Sequence, residues 1–229
     1  MTRSPLAALG STAAAITATL ALAACSGPAD PDLPSFSSSP TPPPVGTWAN
    51  VPAEPTAKPD VTLEVVAYSP DRRITGTQAS ACMFRGQLPD PACTPGAVAA
   101  SADPNDDPAK AADQAEVCNA GFADRHRPVG TAKFKVAAMK AYHVPTTDIR
   151  VVEYDHLVPL SLGGANDVRN LWPQRSDLPG QGFRNSKDDL ETRMWRAVCV
   201  YHSISLVDAQ RAFARQWTGA EAFVRVPPR

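Results

Sequence analysis

The segment Glu153-Tyr154-Asp155-His156-Leu157-Val158-Pro159-Leu160-Ser161-Leu162-Gly163-Gly164, running on through Asn166 to Asn170-Leu171-Trp172-Pro173, constrains the fold more than any other part of the chain. Ile149, Val151 and Val152 are β-branched, so the approach to Asp155-His156 reads as a strand. Pro159 and the Gly163-Gly164 pair end regular structure and force a tight loop. Asn170-Leu171-Trp172 is a short apolar return that Pro173 stops. From about Arg184, the apolar residues Leu190, Met194, Ala197, Val198 and Tyr201 recur at helical spacing. The expected order is strand, loop, short strand, helix. A carboxylate and an imidazole sit at one edge of the loop, and Asn185 lies near the helix start.

Such a unit has the groups for phosphodiester hydrolysis. A carboxylate oxygen and an amide oxygen are hard ligands suited to Mg²⁺ or Mn²⁺. A neighbouring imidazole can take a proton from water near neutral pH. Asp155-His156, Pro159, Gly163-Gly164, Asn170-Leu171 and Asn185-Ser186-Lys187 together resemble the HNH, or ββα-metal, nucleases. The likeness is to a secreted bacterial branch in particular. Its core covers about residues 149–201, and it extends from Asp90-Pro91-Ala92-Cys93 to the last helix.

The resemblance implies an α+β domain on a ββα-metal core with supporting helices. It implies His156 as general base, Asn170 as the residue that fixes the loop so that His156 is aimed, and Asp155 and Asn185 as metal ligands. This branch often carries His where Asn185 stands; Asn shifts the preference towards Mg²⁺ or Mn²⁺ and away from Zn²⁺. Asn185 reads equally as a helix cap. Arg184 and Lys187 are candidates for holding the scissile phosphate, with a plain surface role as the alternative. The implied activity is metal-dependent hydrolysis of DNA, or of RNA, leaving a 5′-phosphate. Low sequence preference is expected, because no helix-turn-helix or zinc finger accompanies the core. The rival is a non-catalytic cell-surface lipoprotein that keeps the fold for binding or structure. The joint presence of Asp155, His156 and Asn170 argues against it.

The N-terminus predicts where the domain works. Arg3 precedes an uncharged run from Leu6 to Ala24, the pattern of an export signal, which ends in Leu22-Ala23-Ala24-Cys25-Ser26. That ending resembles a bacterial lipobox, with 1–24 as signal peptide and Cys25 as the lipidated first residue, anchoring the chain to the membrane. The alternative is an ordinary secretory signal with Cys25 incidental. Residues 25–60 are rich in Pro, Ser and Thr and read as a disordered tether, leaving 61–229 as the nuclease domain. Net charge is −1, which excludes a global basic signature, yet residues 121–229 carry sixteen Lys and Arg against eleven Asp and Glu. That excess is compatible with phosphate contact and equally with a solvated surface. Nucleic acid, DNA first, is the expected partner, and no protein partner is inferable.

Within the domain, Val61 to Ala67 alternates like a strand. An Ala-rich helix is expected from Pro108 to Cys118, another from Thr131 to Tyr142 and a last one from Ser205 with Asp208 completing a capping box. Phe134, Ala138, Ala141 and Tyr142 are assigned to the buried face of the second, while Lys133, Lys135 and Lys140 fall mainly elsewhere. Beyond Cys25, the even set Cys82, Cys93, Cys118 and Cys199 suggests two disulfides in an exported chain, with three pairings open. His126, His143 and His202 lack motif partners and read as structural or exposed.

Overall fold

The computed structural model describes residues 61–177 and 185–224, which belong to one folded unit, Glu54–Arg229. The signal segment with Cys25, the tether and Arg184 lie outside the described residues. In chain order these are β1 (Glu64–Val66), β2 (Ala97–Ala99), α1 (Gln114–Val117), α2 (Phe122–His126), α3 (Ala132–Ala141), β3 (Val152–His156), β4 (Leu171–Arg175), α4 (Ser186–Cys199) and α5 (Leu206–Gln216). Short 3₁₀ turns punctuate them at Thr146–Asp148, Leu160–Leu162 and Trp217–Phe223. The fold is a mixed α and β arrangement with two small sheets. No helix among the described residues is long and apolar enough to cross a membrane.

Among the described elements, the antiparallel pair β3–β4 precedes α4 in the chain. Its register sets Glu153 opposite Gln174, Asp155 opposite Trp172 and His156 opposite Leu171. Two sequence expectations shift here. The strand begins at Val152 rather than Ile149, because a 3₁₀ turn ends at Asp148 and Val151 is left 53% exposed. The return strand runs through Pro173 to Arg175. A two-stranded ribbon has a free outer edge on each strand, so the missing N–H of Pro173 is tolerated where it faces away from β3.

The loop between β3 and β4 is held from outside by β2. Ala99 N–H donates to the Gly163 carbonyl at 2.8 Å, Ala165 N–H to the Ala97 carbonyl at 3.0 Å, and Gly96 N–H to the Arg169 carbonyl at 3.0 Å. β2 pairs in parallel with β1, so the alternation around Val61–Ala67 yields three paired residues rather than seven. Gly164 has to be glycine, since a Cβ there would lie 1.8 Å from the Val158 carbonyl oxygen. Asp167, buried in the same loop, accepts from the Arg169 guanidinium at 2.7 and 3.1 Å and from the Thr75 hydroxyl at 2.7 Å. Burial works against its charge, but these donors hold its carboxyl below the ordinary value.

The main core joins Met139 and Tyr142 of the α3 region, Val152, Leu162 and Trp172 of the ribbon and loop, Met194 and Val198 of α4, and Phe213 of α5. Fully burying side chains of this size stabilises by about 1.5–3 kcal/mol each, so this shared core holds the ribbon and the helices together. α5 and the 3₁₀ turn after it bury the expected stripe Leu206, Ala209, Phe213 and Trp217, and the Ser205 cap accepts from Asp208 N–H at 3.1 Å. α3 runs as expected from just after Thr131, although the Thr131 side chain makes no capping bond and Phe134 is only half-buried. The Ala-rich helix after Pro108 is not formed. Ala100 bridges Ala111 there, and α1 is only four residues long, starting behind the Asp113 cap. The cysteines pair Cys82–Cys93 and Cys118–Cys199, and the second bond ties the end of α1 to the last residue of α4.

Candidate functional site

Alternation along β3 puts Glu153 and Asp155 on one face of the ribbon, and the first turn of α4 meets that face. The meeting point is a charged cluster built around Lys187. Lys187 is wholly buried, and its ammonium donates to Asp155 Oδ2 at 2.7 Å, to the His156 main-chain carbonyl at 2.7 Å and to Glu191. Burial works against its charge, and Asp155 and Glu191 outweigh that, so its pKa lies above the ordinary lysine value. All three of its N–H donors are spent on protein acceptors. This differs from the phosphate contact expected of it. The side chain locks β3 to α4 and fixes the direction of the Asp155 carboxylate. The other candidate, Arg184, lies outside the described residues.

Asn185 forms the capping box of α4. Its side-chain oxygen accepts from Asp188 N–H at 3.2 Å, and the Asp188 carboxylate accepts from Asn185 N–H at 3.4 Å. The Asn185 amide also donates to Glu153 Oε2 at 3.4 Å, and the residue is buried. The cap is therefore formed, and one lone pair of Oδ1 remains outside it. Glu153 is pushed up to about 7, first by burial and then by the like charges of Asp155 and Asp188, against a smaller pull from Lys187 and Lys135. Asp188 is raised mainly by burial. Glu191 is raised by burial despite Lys187. Glu153, Asp155, Asp188 and Glu191 thus place four carboxyl groups around one buried ammonium.

Sequence spacing holds signals for the two acids that motif reading passed over. Glu153 is two residues before Asp155 on a strand, hence on the same face, and Glu191 is four residues after Lys187 on a helix.

On the loop side, Asn170 is completely buried and fully bonded. Its Oδ1 accepts from Val158 N–H at 2.9 Å and Ala97 N–H at 3.3 Å, while its Nδ2 donates to the carbonyls of Val158 at 3.0 Å and Ala165 at 3.2 Å. These bonds staple both ends of the loop and β2 to one side chain, the geometry of a residue that fixes the loop. His156 is 7% exposed, and its Nε2 lies 2.9 Å from Asn166 Oδ1. No hydrogen bond engages its Nδ1 among the described residues. Burial lowers its pKa, against the opposing effects of the Asn166 bond and the Asp155 charge, so the ring is neutral at neutral pH. The sequence motif assigns no role to Asn166.

Of the three histidines without motif partners, His143 and His202 are exposed, whereas His126 is buried and stacks on Phe122 with ring centroids 3.9 Å apart.

The donor set available to a cation consists of hard oxygens: Asp155, with Glu153 beside it, and Asn185. Among the described residues no group of three or more His, Cys, Asp or Glu side chains converges to hold a metal ion. Oxygens of this kind match the ligand preference of Mg²⁺ or Mn²⁺, and Oδ2 of Asp155 is already held by the Lys187 ammonium at 2.7 Å.

No family model, no curated protein and no solved structure matches this chain.

Proposed function

We propose that the protein is an exported, lipid-anchored, metal-dependent endonuclease of the ββα-metal type that cleaves DNA phosphodiesters with low sequence preference. The observation that carries this reading is the state of His156: a neutral, oriented imidazole with Nε2 bonded and Nδ1 without a hydrogen bond among the described residues, directly after Asp155 on the ribbon. That is the arrangement a general base requires. His156 takes a proton from water, the resulting hydroxide oxygen adds to phosphorus, and the 3′ oxygen departs in line. Asn170 holds the loop so that the imidazole keeps its aim, and Lys187 holds Asp155 in one direction. Asp155 and Asn185 are the side chains that would hold Mg²⁺ or Mn²⁺, which when bound supplies charge neutralisation at the leaving oxygen. Two disulfides favour work outside the reducing cytoplasm, in keeping with the signal and the Cys25 lipobox.

The test is supercoiled plasmid incubated with the purified protein and Mg²⁺ or Mn²⁺, with and without EDTA. His156→Ala is expected to lose roughly 10²–10⁴-fold in nicking rate with an unchanged melting curve. Equal nicking by a folded His156→Ala protein would end the reading. The Lys187 ammonium on Asp155 favours one other outcome, a fold kept for binding alone as in a non-catalytic surface lipoprotein. Its signature is metal-independent retention of plasmid without nicking.

A further inference from the structure

We infer that Asn166 is a positioning residue that selects which nitrogen of His156 acts as the base; the inference rests on the reading of His156 as general base. The argument is one of donors and acceptors. Asn166 Nδ2 donates to the main-chain carbonyl of His126 at 2.7 Å. A carbonyl only accepts, so this bond fixes which end of the amide is which. Asn166 Oδ1 is then the atom 2.9 Å from His156 Nε2, and it too can only accept. Nε2 therefore carries the proton of the neutral ring, and the lone pair is at Nδ1. A proton taken from water settles on Nδ1, and the Nε2–H to Oδ1 bond strengthens as the ring becomes charged.

The support behind Asn166 exceeds what a turn asparagine needs. Three separate segments meet at this residue. Its own carbonyl accepts from Thr75 N–H at 3.0 Å, which fixes its backbone. The His126 carbonyl that receives its amide belongs to the last residue of α2, where a helix leaves carbonyls free for outside donors. His126 is itself immobilised, since its Nδ1 donates to the Phe122 carbonyl at 2.8 Å and its ring stacks on Phe122. The buried His126, which carries no catalytic motif, thus acts through its main chain as the outer support of the base.

The experiment reads the tautomer itself. In the whole protein with ¹⁵N-labelled histidine, at about pH 8 where an ordinary imidazole is neutral, His156 should show a protonated Nε2 with a slowly exchanging proton and an unprotonated Nδ1. An Nδ1-protonated ring in the native protein overturns the inference whatever the activity measurements show. Asn166→Ala should lose the exchange protection at Nε2 and lower the nicking rate roughly 10–10²-fold, the scale of a small misplacement of a reacting group. Asn166→Asp keeps an acceptor for Nε2–H but sets a carboxylate oxygen against the His126 carbonyl, so it should keep the proton on Nε2 while regaining only part of the rate. Retained protection or unchanged rate in folded Asn166→Ala also overturns it. Should the protein nick no plasmid at all, the nuclease reading fails, while the resonance measurement still decides the tautomer.

Discussion

Replacing Lys187 by Met separates a buried electrostatic lock from a surface phosphate contact. Met keeps the length of the side chain and removes the ammonium, which leaves the Asp155 and Glu191 carboxylates and the His156 carbonyl without their shared donor. Breaking a buried ion pair by removing one partner costs about 3–5 kcal/mol, because the remaining charge is neither solvated nor paired. Here Glu191 is already raised by burial, so it can take up a proton and limit the cost, placing the expectation at about 3 kcal/mol. An exposed pair would instead be worth about 0–1 kcal/mol. The assay is urea unfolding of the oxidised protein near neutral pH in EDTA, followed by near-ultraviolet circular dichroism. Adding Glu191→Gln to Lys187→Met should regain part of the loss, because one of the stranded charges is gone. A loss under about 1 kcal/mol for Lys187→Met would refute the buried lock and return the ammonium to solvent, where a phosphate could reach it.

Asn185→Ser keeps a good helix cap but shortens the side chain, so it should melt close to the native protein while needing more Mg²⁺ for half-maximal nicking; an unchanged metal titration would leave Asn185 as a cap alone. The two disulfides should differ in worth: the Cys118–Cys199 bond closes 81 residues and chain entropy gives about 4.5 kcal/mol, against about 2.8 kcal/mol for the 11 residues of Cys82–Cys93. Paired Cys→Ser variants compared by urea unfolding check that order. Stability should also fall on both sides of a mildly acid optimum. Asp167, held below 3.8, stabilises the fold above that pH and loses its contribution as pH falls through its folded value, whereas Glu153, raised from 4.5 to about 7, contributes fully below 4.5 and loses that as pH rises through about 7. Asp167→Asn should flatten the acid limb and Glu153→Gln the neutral limb, both read from melting temperatures in EDTA.

What the sequence determined by itself is local. The stripe of α5, the start of α3 after Thr131, the caps at Ser205 and Asn185, the turn at Gly163-Gly164 and the order strand, loop, strand, helix follow from periodicity, capping chemistry and backbone freedom. Each needs only neighbours within about one or two helical turns, and those neighbours are visible in the chain. The Ala-rich stretch after Pro108 shows the limit of this logic, since helix propensity there yields to the pairing of Ala100 with Ala111. Tertiary structure decided the rest. Which cysteines pair, whether Lys187 faces solvent or Asp155, and which residue holds His156 all depend on partners far apart in sequence: Cys118 and Cys199 are separated by 81 positions, Lys187 and Asp155 by 32, and Asn166 and the His126 carbonyl by 40. A lysine next to a helix cap looks the same in a sequence whether it is solvated or buried. Only the packing of α4 on the ribbon removes the water and leaves Asp155, Glu191 and the His156 carbonyl as its acceptors among the described residues.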